Sequence, residues 1–182
     1  MPAVVLALGM GIYGAVVHPG SNSLPSGTSA FAKGNGVVFV SPDHSYMVQF
    51  PETPTVSHDP EQIEQFTTTI NSASVETDDY EMVTASIALP AQPTSSQSAD
   101  LLRDALSAGI SRAGGTDPQM SPLTRGGLPA LEATFKAPDG YQARGLVMLD
   151  HSWLFVFLVH AKTGTNKLFD ALEKSFQPTT MP

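Results

Sequence analysis

A chain of 182 residues, 41% hydrophobic and only 14% charged, has enough apolar surface for a core and too little charge for a disordered polymer. Nine Lys and Arg stand against seventeen Asp and Glu, a net charge of −8, which favours solubility and offers no basic face for nucleic acid. The lack of Cys excludes a disulfide framework, a thiol nucleophile, an iron–sulfur cluster, a thiolate zinc site and a lipidated anchor.

Pro2 to Val17 reads PAVVLALGMGIYGAVV, without a charge. A bilayer span takes about 20 apolar residues, and a secretory signal opens on Lys or Arg. The stretch is short for the first and lacks the start of the second. It reads either as the end of a membrane helix that begins upstream or as a buried or disordered apolar segment. The absence of an amphipathic stripe favours the first. Residues 1–18 are thus expected to form a membrane-anchor or signal-like segment, engaging the membrane through residues 2–17. Residues 19–35, rich in Ser, Gly and Asn, read as a flexible linker. Ala30-Phe31-Ala32 inside it has the form of a cleavage site. One domain is expected over 36–178, with a tail at 179–182.

Val37 to Val40 is a short apolar run, and Ser41-Pro42-Asp43 is a turn signal. Tyr46, Val48 and Phe50 alternate as in a strand, which Pro51 and Pro54 end. Glu61 to Glu76 reads as one strand, and Thr77-Asp78-Asp79 as a hairpin turn. Tyr80 to Leu89 follows, with Val83, Ala85, Ile87 and Leu89 on one face and Thr84 and Ser86 on the other. Ser98 is the expected N-cap of a helix whose stripe is Leu102, Leu106, Ile110 and Ala113, stopped by Gly114-Gly115. Three strands are expected next. Leu131, Ala133 and Phe135 alternate in the first, and Pro138-Asp139-Gly140 is a turn. Tyr141 to Leu149 is the second. Trp153 to Ala161, apolar on both sides, belongs at the centre of the sheet. Thr165 or Asn166 should cap a last helix built on Leu168, Ala171, Leu172 and Phe176 and ended by Pro178.

Strands joined by short turns imply an antiparallel sheet, so the expected class is α+β, an antiparallel β-sheet flanked by helices. The stretch from Phe39-Val40-Ser41-Pro42-Asp43 to Val48-Gln49-Phe50-Pro51-Glu52-Thr53-Pro54 resembles the opening of bacterial extracytoplasmic domains of the PsbP/Mog1-like family. The middle helix followed by Gly127-Leu128-Pro129-Ala130 and the closing Leu172-Glu173-Lys174-Ser175-Phe176 are similar to it as well. The resemblance spans roughly Gly36 to Pro178. It implies an antiparallel sheet with flanking helices and an accessory, mostly non-enzymatic role; it carries no catalytic set.

The five His residues, His18, His44, His58, His151 and His160, include no pair at metal-ligand spacing. Asp43-His44 and His58-Asp59 read as solvated turns, and His160 as an interior or edge residue. Asp150-His151-Ser152 holds the residue types of a hydrolase triad, but neighbours in a tight turn splay apart. Glu76, Asp78, Asp79 and Glu81 form an acidic hairpin tip, more a solvated tip than a cation site. Arg144 is expected to pair with Glu132 across the sheet. Trp153, Phe155 and Phe157 read as core. Nucleotide-binding glycine motifs and the nucleophile elbow are absent.

No catalytic, cofactor-binding or metal residue is assigned. The expectation is a non-catalytic extracytoplasmic binding or assembly-accessory domain, tethered at or secreted across the cell membrane, with a protein partner there. One alternative is a small hydrolase or metal-dependent enzyme using His and Asp residues from separate loops; another is a cytosolic chaperone-like binding protein.

Overall fold

The computed structural model describes residues 36–63 and 66–179, and the side chains of 62–66 are left aside. The order is β1 (Val37–Val40), β2 (Tyr46–Phe50), β3 (Thr55–Ile63), β4 (Phe66–Glu76), β5 (Tyr80–Ala88), α1 (Ser95–Arg112), β6 (Thr116–Arg125), β7 (Leu128–Lys136), β8 (Gln142–Asp150), β9 (Trp153–Ala161), α2 (Thr165–Ser175) and β10 (Gln177–Pro178). Seven strands form one sheet in the order β3-β4-β5-β9-β8-β7-β6, and three form a second, β1-β2-β10. Every pairing is antiparallel.

The expected class needs correcting. Among the described residues strands make up 53% and helix 21%, so the described part is mostly β, two sheets with two helices. It is not an antiparallel sheet flanked by helices. One face of the large sheet packs on α1 through Val83, Ile87, Leu106, Ile110, Val147 and Val156. The other face is covered by the small sheet, through Tyr46, Val48 and Phe50, together with Phe169 and Leu172 of α2. Sequence inspection weighted two clear helical stripes and missed the second sheet, whose strands have four, five and two residues.

The expected membrane anchor is a second correction. Residues 2–17 and the 19–35 linker lie outside the described residues. Among those described, no helix is long and apolar enough to cross a membrane, and the expected transmembrane helix and signal anchor are without support.

β9 is the middle strand of the large sheet, as its unbroken apolar run requires. Phe155 and Phe157 are 1% and 2% exposed on one face, and Leu154 and Val156 0% and 1% on the other. Glu61–Glu76 is not one strand. Thr55–Ile63 and Phe66–Glu76 are paired strands, with Pro60 tolerated because β3 is an edge. β6 escaped notice because Pro118 and Pro122 interrupt it and it is largely exposed, so it has no apolar alternation.

The helix starts also differ. Thr94, not Ser98, caps α1. Its N–H donates to Gln97 Oε1 at 3.0 Å, and Ser98 instead donates to Thr94 O at 2.9 Å. Gly164, at φ 76°, precedes α2, while Thr165 Oγ1 donates to the Gln142 and Ala161 carbonyls. The stop at Gly114-Gly115 stands. Gly114 takes φ 64°, and a Cβ on Gly115 would lie 2.4 Å from Phe135.

Candidate functional site

The β1–β2 connection, Ser41-Pro42-Asp43-His44-Ser45, alternates short polar side chains that bond their own backbone. His44 N donates to Ser41 O at 2.8 Å, and His44 takes φ 56°. The Asp43 carboxylate sits at the centre. Its Oδ1 accepts from Ser41 Oγ (2.7 Å), Ser45 Oγ (2.6 Å) and Ser45 N (3.0 Å). Its Oδ2 accepts from Asn71 Nδ2 and Ser86 Oγ, both at 2.6 Å. Asn71 and Ser86 are cross-strand partners on β4 and β5. One carboxylate therefore fastens the small sheet's turn to the large sheet. Burial pushes its pKa up, but the hydrogen bonds from Ser45, Ser86 and Ser41 outweigh that and hold it at about 2. A carboxylate has about four lone-pair sites, so this one is spent.

His58 Nδ1 lies 2.8 Å from Asn71 Oδ1 and reaches Asp43 only through that amide. Beside the network, Tyr46 OH meets Thr84 Oγ1 at 2.8 Å, both buried. Thr84 and Ser86 do face away from Val83, Ala85 and Ile87, as their spacing implied. That face is a second interior, not solvent.

A second cluster holds α2. Arg144 Nη2 donates to Glu132 Oε1 at 2.6 Å, and Nη1 donates to Asp170 Oδ1 at 2.9 Å. Its guanidinium lies 4.1 Å from the centre of the Phe169 ring. Arg125 bridges Glu173 (2.5 Å) and Glu132 (3.7 Å). Burial raises the Glu173 pKa; Arg125 opposes it.

The remaining candidates lie apart. His151 Nδ1 is 2.6 Å from Asp150 Oδ1, so two members of the adjacent trio do meet. Ser152 supplies its carbonyl to Leu89 N. At the other end of β9, roughly 23 Å of strand away, His160 Nε2 lies 2.8 Å from Asp139 Oδ2. The contact is not an aligned hydrogen bond. Tyr141 stacks on His160, and Glu81 is its cross-strand partner. Burial, then Glu76, raises the Glu81 pKa. Of the acidic tip, Glu81 is half-buried while Asp79 pairs with Lys162 at 3.4 Å. Among the described residues no group of three or more His, Asp and Glu is placed to hold a metal ion. His18 lies outside the described residues.

In the sequence Asp43 reads as a turn residue, in Ser41-Pro42-Asp43 and beside His44, and not as the centre of a network. Asn71 and Ser86, distant in sequence, were missed. The available signal was the Ser-x-Asp-x-Ser alternation, which marks a self-bonded turn but not its target.

These features define a mostly β, two-sheet domain joined by a saturated carboxylate. Compared with known proteins, the chain matches no family model and no curated protein significantly.

Proposed function

We propose that the domain is a non-catalytic binding or assembly-accessory module acting outside the cytoplasm. One observation carries the reading: the polar groups with the greatest chemical potential are engaged with one another. Asp43 takes five donors, from Ser41, Ser45, Asn71 and Ser86, and Arg144 is shared by Glu132, Asp170 and Phe169. A general base or nucleophile needs a free lone pair facing a cleft. Here Asp43 and Arg144 join layers instead, leaving the outer strands for recognition. The resemblance to PsbP/Mog1-like extracytoplasmic domains supports the accessory role, and the linker-like 19–35 composition supports a domain held apart from what precedes it.

Cross-linking with the full chain in its native cells, followed by purification and cell fractionation, tests the reading. The expected result is a stoichiometric protein complex in the extracytoplasmic fraction. Turnover of a small molecule by the purified chain, abolished by Asp43→Asn without loss of fold, would refute it.

A further inference from the structure

The two sheets present four outer edges among the described residues: β3, β6, β1 and β10. Exposed strand edges invite pairing, and proteins blunt them with charge, proline or bulges. β3 carries Asp59, Pro60 and Glu61. β6 carries Asp117, Pro118, Pro122 and a register shift between Thr116 and Gln119. β10 carries Pro178. β1, Val37-Val38-Phe39-Val40, has none of these devices.

The hydrogen-bond phase shows which groups β1 leaves open. Tyr46 O accepts from Ser41 N, so Tyr46 faces β1. Ser45 O accepts from Thr179 N, and Gln49 N donates to Ser175 Oγ, so these two face away. By alternation Val48 and Phe50 bond to β1, while Met47 and Gln49 do not. Val38 and Val40, opposite Gln49 and Met47, therefore turn their N–H and C=O groups to the free edge. Their side chains are 67% and 43% exposed, whereas Phe39 packs inward on Tyr46 and Phe50.

An acid stands at one end. Exposed Glu52 follows Phe50, which pairs with Val37, whereas the Asp43 carboxylate beyond Val40 is turned to Asn71 and Ser86 and is already saturated. The chain as a whole carries −8. We propose that β1 is a strand-accepting edge, and that its occupant is an extended partner-protein segment with β-branched residues against Val38 and Val40 and a Lys or Arg at the end beside Glu52. This rests on the binding-module reading and names its surface.

The test uses the full chain and a synthetic peptide alternating Val and Thr, with a Lys at the end that meets Glu52. In the free protein the Val38 and Val40 amides should exchange with solvent faster than those of Val37 and Phe39, and the peptide should slow both. Val38→Pro removes an outward N–H without touching the β1–β2 ladder, and should weaken the peptide at least ~10-fold. Val38→Lys, which keeps the backbone donor, is the second variant; it should weaken the peptide by apposing like charges. The inference is overturned by equal peptide binding in both variants. It is also overturned if the amides are protected without peptide, either at every protein concentration (the chain's own upstream residues) or increasingly with concentration (a second copy). A native partner captured equally by wild type and Val38→Pro would sink this edge while leaving the binding-module reading standing.

Discussion

Tyr46 of β2 and Thr84 of β5 meet hydroxyl to hydroxyl at 2.8 Å, 1% and 0% exposed, between two sheets packed on each other mainly by apolar side chains. The bond sets the register of one sheet on the other, because neither hydroxyl has water to replace its partner. Burial raises the Tyr46 pKa beyond the ordinary tyrosine range, so the phenol remains a donor at all physiological pH. Tyr46→Phe should cost about 1–2 kcal/mol by stranding the Thr84 hydroxyl. Thr84→Val should cost a similar amount, and the double variant less than the sum. Urea unfolding of the four proteins checks this; strict additivity would refute the coupling.

Asp43→Ala should destabilise by about 2–4 kcal/mol, since it frees Asn71 Nδ2 and three hydroxyls at once. The pH dependence follows from the pKa, lowered from 3.8 to about 2. A depressed carboxylate stabilises the fold above 3.8, and the contribution fades as pH falls from about 4 toward 2. Because Asp43 is only half-buried, solvent screening reduces it to about 1 kcal/mol. Acid titration of wild type against Asp43→Asn should show that extra slope in wild type alone.

Glu81 behaves oppositely. Its folded pKa is raised, by burial and then by Glu76, with His160 opposing. Its contribution is full in acid and is lost as pH rises through the folded value. Glu81→Gln should therefore raise the melting temperature at neutral pH and leave it nearly unchanged in acid. A variant less stable than wild type at neutral pH would contradict this.

Arg144→Met should cost about 2–4 kcal/mol, because Glu132 stays largely buried with its 2.6 Å partner gone. Lys in its place should restore less than half, lacking the fork that spans Glu132 and Asp170 and the flat face over Phe169. Hydrogen exchange should locate the loosening in α2.

Gly115→Ala should destabilise by about 1–3 kcal/mol, with Phe135 at 2.4 Å and Ile110 at 2.8 Å from the new methyl group. The companion Gly126→Ala meets no atom within 4 Å, but takes φ 55° and so carries only the backbone cost. Thermal unfolding should separate the two.

The sequence alone determined the features whose cause is local. The unbroken run Trp153–Ala161 had to lie mid-sheet, Leu102, Leu106 and Ile110 had to share one buried side of α1, and Pro138-Asp139-Gly140 had to turn, each through periodicity or a backbone constraint written within a few residues. Tertiary structure alone decided what depends on apposition. Whether Gln177–Pro178 joins the local Val37–Phe50 hairpin to complete a second sheet depends on a partner strand more than a hundred residues away. That choice set a second sheet beside α2 in the layer over Phe155 and Phe157, in place of the helix-flanked sheet expected. It also turned Asp43, a plausible solvated turn residue, into the bolt between sheets, since only folding brings Asn71 and Ser86 within hydrogen-bond range of it.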